Sequence, residues 1–228
     1  MTGILYIVAT PIGNLEDITL RAIKILSGVD IILAEDTRVT GKLLSFLSTN
    51  YNLPPTKLVS YHQHSGEEKK LEILNYLLEG KNIALVTDAG TPGISDPGNE
   101  LIDYLLSYQP ELKIIPIPGA SAITTALSVS GFRADRFLFL GFWPKKKVSK
   151  ILQLVKSNRM RFAFYESPHR IIRTLSILEK EFGGEVRVLV ARELTKLHET
   201  LYRGKISEVI KRLRDEEIKG EIVVVIEL

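Results

Sequence analysis

Asn82-Ile-Ala-Leu-Val-Thr87 runs straight into Asp88-Ala-Gly-Thr-Pro-Gly-Ile-Ser-Asp-Pro-Gly98, and this junction decides the fold class. The first six residues form a short apolar run of strand composition. The next eleven hold three glycines and two prolines, which fix a tight path and allow close backbone approach to a ligand. A helix is expected from about Gly98, with N-terminal N–H groups that favour an anion such as a carboxylate. Outward from this unit the same alternation repeats. Residues 4–10, 31–35, 57–61 and 112–117 are further runs of Ile, Val and Leu, expected as strands buried on both faces. Leu20, Ile23, Ile25 and Leu26 precede Gly28, and Leu71, Ile73, Leu74, Leu77 and Leu78 precede Gly80. These are helical spacings ended by a glycine stop. Strands alternating with helices predict an α/β protein with a largely parallel sheet.

A second series follows Pro116-Ile-Pro-Gly119. Residues 137–142, 161–165, 185–190 and 221–227 are expected strands. Ser167-Pro168 is an expected cap and first residue for a helix through Phe182, and Ser207 an expected cap for one through Arg214. The less regular spacing predicts a mixed sheet. We place the domain boundary near residue 117, giving domains of 1–116 and 117–228.

The chain has 228 residues, 45% hydrophobic and 25% charged, enough to bury a sizeable core. No apolar run approaches the ~20 residues of a membrane span, and no basic region precedes the first apolar stretch, as a secretory signal would require. The absence of cysteine excludes disulfides, thiolate nucleophiles and cysteine-ligated metals. A cytoplasmic protein without a membrane partner is expected. The net charge of +3 hides an asymmetry: residues 1–116 carry 9 Lys+Arg against 14 Asp+Glu, and residues 117–228 carry 21 against 13. Within residues 133–173 eleven basic residues face two acidic ones. So local an excess points to a polyanion surface, with Lys145, Lys146 and Lys147 beside Trp143 as its densest run.

The polar clusters all follow strands. They are Thr10-Pro-Ile-Gly-Asn14, Glu35-Asp-Thr-Arg38, the 88–98 loop, Tyr165-Glu-Ser-Pro-His-Arg170 and Ala191-Arg-Glu-Leu-Thr-Lys196. Open α/β sheets bind ligands outside the carboxyl ends of their strands, so five such clusters argue for one shared site. Walker A, G-x-G-x-x-G, H-E-x-x-H and G-x-S-x-G patterns are absent. His62 and His64 lack partners for a metal site, and no metal is expected.

Together with Ile7-Val-Ala-Thr-Pro-Ile-Gly-Asn-Leu15, Ala34-Glu-Asp-Thr-Arg38, Pro118-Gly-Ala-Ser-Ala122 and Phe164-Tyr-Glu-Ser-Pro-His-Arg170, these clusters resemble the motif series of the ribosomal RNA small-subunit methyltransferase I family. That family is a branch of the tetrapyrrole (corrin/porphyrin) methylase superfamily. The first loop, Thr10-Pro-Ile-Gly-Asn14, departs from the G-x-G-P-G of tetrapyrrole-specific members and favours the RNA branch. The chain also stops just after its last expected strand, where members of that branch often continue. The resemblance implies two α/β domains with S-adenosylmethionine in the cleft between them, a homodimer, and 2′-O-methylation of a cytidine ribose in the decoding region of 16S rRNA. It places Pro11, Gly13, Asp88, Ala89, Gly90, Thr91, Ile94, Ser95 and Asp96 around the methionine end and sulfonium. Ser121, Tyr165, Leu194 and Gly220 fall on the adenosine side.

Methyl transfer from a sulfonium needs positioning above all, and a base to take the hydroxyl proton adds to it. Glu166 and Glu193 are candidates for that base, but ion pairs with Arg170 and Arg192 that fix their loops are the favoured reading of each. Glu35 and Asp36, with Arg38, His169, Arg170, Arg192 and the three lysines, are candidate substrate contacts. Two other functions share these features: a methyltransferase acting on a tetrapyrrole or other small molecule, and a non-catalytic RNA-binding ribosome-assembly factor.

Overall fold

In the computed structural model, which describes residues 2–228, the apolar runs of the first half form β1 (Leu5–Val8), β2 (Ile31–Ala34), β3 (Lys57–Ser60), β4 (Ile83–Val86) and β5 (Ile114–Ile117). They pair in parallel in the order β3-β2-β4-β1-β5. Alternate residues serve opposite faces. Ile32, Ala34, Ala84 and Val86 meet helices α1 (Leu20–Leu26) and α2 (Thr37–Tyr51). Ile31, Leu33, Ile83 and Leu85 meet α3 (Glu67–Leu78) and α4 (Asn99–Tyr108). Burial on both faces, as expected, is complete in β2 and β4. It fails in β3, whose edge position leaves Lys57 and Ser60 exposed.

The strand order positions the site. From β1 the chain turns to α1 on one face of the sheet, and from neighbouring β4 it turns to α4 on the other. The two connections diverge, leaving a crevice at the carboxyl ends of β1 and β4. The first connection is residues 9–19, and the second is the glycine-rich loop.

The chain divides into two compact units, one ending at Ser121 and the other starting at Ala122. The second contains α5 (Ala122–Ser128), β6 (Leu138–Phe142), α6 (Val148–Asn158), β7 (Phe162–Glu166), α7 (Ile171–Phe182), β8 (Arg187–Arg192), β9 (Thr200–Lys205), α8 (Ile206–Arg214) and β10 (Ile222–Glu227). Its sheet is mixed, in the order β6-β7-β10-β8-β9, with β6 and β7 parallel and the other pairs antiparallel. Helices α6, α7 and α8 cover one face around Trp143, Phe162, Phe164 and Val224.

Several local expectations are corrected. Helix α7 starts at Ile171, not at Pro168, because the Ser167 carbonyl accepts from the amides of Arg170 and Ile171 and closes a turn first. Ser207 lies inside α8; its hydroxyl donates to the Gly184 carbonyl and does not cap the helix. Both α1 and α3 close through right-handed caps, Ser27 and Glu79; the glycine stop has positive φ after α3 (Gly80, +87°) but not after α1 (Gly28). Strand β8 sits two residues later than expected. Strand β9 has no counterpart among the expected strands: it is an edge strand in which only Tyr202 is buried, so it carries no apolar alternation. Among the described residues no helix is long and apolar enough to cross a membrane.

Candidate active site

Residues Thr87 and Thr10 end the apolar runs of β4 and β1, and both are buried. The Thr10 hydroxyl donates to the Thr87 carbonyl over 3.0 Å, and Thr10 and Gly90 exchange both backbone hydrogen bonds, at 2.9 and 3.1 Å. The glycine-rich loop is thereby stitched to the chain leaving β1. A second stitch runs from the Thr91 hydroxyl to the Ala120 carbonyl. Positive φ at Gly90, Gly93, Ser95 and Gly98 bends the loop back over the strand end. At Gly93, with φ of +85°, a Cβ would sit 2.6 Å from Asn99 Oδ1 and displace the side chain that bonds the Gly93 carbonyl. At Gly90 it would meet only Ile12 at 3.5 Å and Ala120 at 3.8 Å, so the protein itself leaves room there.

Four carboxylates gather at these strand ends. Glu35 accepts from the Thr87 hydroxyl at 2.6 Å, and Asp88 accepts from the Asp36 amide at 3.0 Å. Asp36 caps α2 through the Arg38 amide and pairs with the Arg38 guanidinium, which holds its carboxyl down at about 2. Asp96 is opposite in character. Desolvation, reinforced by the negative charges of Glu35 and Asp88, pushes it up to about 6 against the pull of the Thr87 hydroxyl. Asp88 is raised as well, first by desolvation. Such a cluster attracts a cation. Among the described residues no group of three or more His, Asp or Glu has the arrangement of a metal site.

In the second unit both candidate bases are engaged by internal hydrogen bonds. The Glu166 side chain is fully buried. It accepts from the Ser167 amide at 2.7 Å and the Thr174 hydroxyl at 2.6 Å, and pairs with Arg170 at 2.5 Å. Arg170 also donates from Nη1 and Nη2 to the Trp143 carbonyl. Glu193, with φ of +53°, accepts from Lys196 at 2.9 Å and from the Glu221 amide at 2.8 Å. Burial raises its carboxyl, but the Glu221 amide and Lys196 outweigh this and hold it below the usual range. Gly220 makes that possible, because a Cβ there would fall 2.3 Å from Glu193 Cδ. Arg192 is also engaged internally, by Lys219 and Thr200.

The structure thus brings Asp88–Asp96, Thr10, Pro11 and the Glu35–Asp36 pair to one strand-end crevice. Arg170 and Arg192 are half-buried and hydrogen-bonded within the unit, while Lys145, Lys146, Lys147 and His169 are exposed. Leu194 is buried at the root of its loop. Sequence reasoning marked the cluster that opens on Thr10 but not Thr87; the available signal was a polar residue closing the second of two adjacent apolar runs. Trp143, beside the lysine run, is buried, while Phe142 is exposed.

A family model described as Tetrapyrrole (Corrin/Porphyrin) Methylases matches residues 4–210. The chain belongs to this family. Within the tetrapyrrole methylases its relatives include proteins named ribosomal RNA small subunit methyltransferase I. That of Synechocystis sp. is 46% identical over 226 residues, covering 98% of this chain and 78% of the relative. That of Bacillus subtilis is 46% identical, covering 99% and 75%. That of Thermotoga maritima is 44% identical, covering 98% of both. At this identity and coverage the chain is a methylase of the ribosomal RNA small subunit methyltransferase I group. Solved structures share the fold at low identity. The methyltransferase CobJ superposes with a TM-score of 0.70 at 19% identity, covering 99% of this chain and 94% of that one. The uroporphyrin-III C-methyl transferase of Thermus thermophilus, complexed with S-adenyl homocysteine, gives 0.67 at 16%, covering 98% and 97%.

Proposed function

We propose that this methylase transfers a methyl group from S-adenosylmethionine to small-subunit ribosomal RNA, with the 2′-hydroxyl of a cytidine in the decoding region as acceptor. The observation that carries the RNA assignment is 44–46% identity over nearly the whole chain to relatives named for that substrate. The excess of positive charge in residues 117–228 favours it over a tetrapyrrole acceptor.

The residues at the β1 and β4 ends fit this cofactor. A sulfonium and an ammonium are cations, and Glu35, Asp88 and Asp96 supply negative charge beside a loop whose glycines allow backbone contact. In this proposal Pro11, Gly13 and residues 88–96 hold the methionine end, and Ser121, Tyr165, Leu194 and Gly220 contribute to the adenosine side. The cofactor supplies an electrophilic methyl group. The protein's part is to align the ribose hydroxyl with it and exclude water. Glu166, engaged by internal hydrogen bonds on both carboxylate oxygens, and Glu193, engaged on Oε1, act by fixing their loops. The proposal includes a homodimer working in the cytoplasm, where its substrate is assembled; sedimentation velocity tests the dimer.

Mapping ribose methylation in small-subunit RNA from cells with and without the protein tests the function. One cytidine 2′-O-methyl that disappears on deletion and returns with the wild-type chain is the expected result. An unchanged map would overturn the proposal.

A further inference from the structure

Strand β6 does not keep regular alternation. Its partners on β7 run Leu138 to Phe162, Phe139 to Ala163, then Phe142 to Tyr165, so β6 advances one residue further than its neighbour. Gly141, at φ of +64°, lies within this slip. With strict period-two alternation Phe142 would share the face of Leu138 and Leu140, which pack against the core. The extra residue reverses the parity. Phe142 instead joins Phe139 at the Tyr165 ring, each with a centroid distance of 5.2 Å. Trp143 takes the core position, 4.7 Å from Phe164. Phe142 keeps 63% of its surface exposed.

The backbone beyond this ring is pinned. The Trp143 amide donates to the Tyr165 carbonyl at 2.9 Å, and the Trp143 carbonyl accepts from Arg170, itself held by buried Glu166. An exposed aromatic residue on a rigid base loses little freedom on binding. Exposed Lys145, Lys146 and Lys147 follow directly. We propose that Phe142 is a stacking platform for an unpaired base of the RNA substrate, with the three lysines on the flanking phosphates. An aromatic face accepts any base, and adjacent cations follow the strand. The same patch of a second copy would bring lysines against lysines, so charge favours RNA as the occupant. The inference rests on RNA being the substrate.

The test uses the full chain, with Phe142→Ala, Phe142→Leu, Phe142→Trp and a Lys145→Glu, Lys146→Glu, Lys147→Glu triple variant. Binding of a fluorescein-labelled single-stranded RNA is measured at several salt concentrations, and S-adenosylmethionine affinity in parallel. Phe142→Ala and Phe142→Leu should lose RNA affinity by roughly 5- to 150-fold, the worth of one base–aromatic stack. Phe142→Trp should retain it. The salt slope of the Phe142 variants should match the wild type, since every lysine–phosphate pairing is kept; an RNA loss matched by an equal loss of cofactor affinity would assign the effect to Tyr165, on which Phe142 packs, and overturn the stack. Wild-type binding by Phe142→Ala beside weakened binding by the triple variant would overturn the stack and leave the RNA assignment standing. Equal binding by Phe142→Leu and Phe142→Trp would overturn it too. Loss of a dimer on Phe142→Ala, measured by sedimentation, would reassign this face to a contact between copies. If neither the triple variant nor Phe142→Ala affects RNA binding, the patch is not the RNA surface and the stack falls; if the wild-type chain itself binds no RNA, the RNA assignment falls with it.

Discussion

Asp96 links a single proton to both stability and binding. Its folded carboxyl stands at about 6 against an ordinary 3.8, so between these values the folded state holds a proton that the unfolded chain has released. Stability from this group is therefore fully present below about pH 4 and is lost as pH rises to about 6. A cationic cofactor reverses the preference, because it favours the ionised form. S-adenosylmethionine affinity should rise as pH increases through about 6, with proton release on binding below it, and Asp96→Asn should flatten both; calorimetry in two buffers of different ionisation enthalpy reads this directly. An affinity that is level from pH 5 to 7.5 in the wild type would remove Asp96 from the cofactor site. Gly220 is constrained twice, by φ of +89° and by the Glu193 side chain that a Cβ would strike. Gly131 has a similar φ of +75° with open space around it. Gly131→Ala should cost only the left-handed strain of about 1–2 kcal/mol. Gly220→Ala should cost more, as Glu193 must release Lys196 and Glu221, and thermal unfolding of the pair measures the difference.

At the scale of elements, the connection from β4 to α4 separates folding from binding within a few residues. Gly93 faces Asn99, whose amide donates to the Gly93 carbonyl at 2.8 Å and anchors the start of α4. Gly90 faces only distant neighbours. Gly93→Ala should therefore destabilise the fold. Gly90→Ala should unfold cooperatively at a cost of about 1–2 kcal/mol for its positive φ, yet lose at least roughly tenfold in cofactor affinity where backbone contact is essential. Normal cofactor binding by Gly90→Ala would make the loop structural. Much of this unit is legible in the chain itself. Strands buried on both faces must be continuously apolar, and glycine and proline must crowd a loop that turns so sharply. Strand β9 is not legible, because an edge strand that buries one side chain in six leaves no pattern.

For the whole molecule, the charge asymmetry makes a prediction of its own. The excess of basic residues lies beyond residue 116, and Lys145, Lys146 and Lys147 are all exposed. Replacing the three by glutamate should weaken RNA binding and flatten the log–log salt dependence by roughly 0.7 for each phosphate no longer neutralised, while cofactor affinity stays within error. An unchanged slope would make them a solvated tip. Composition, periodicity and the order of motifs were enough by themselves to determine an α/β chain with one parallel and one mixed sheet, and to mark which strand ends carry polar loops, since these depend on local chemistry and repeat. What each polar side chain touches was decided only by tertiary structure. Whether Glu166 is a base or an anchor depends on Thr174 and Arg170 closing around it, and whether Phe142 or Trp143 faces outward depends on a slip of one residue against β7. Both are properties of pairing between segments distant in the chain, which no local pattern encodes.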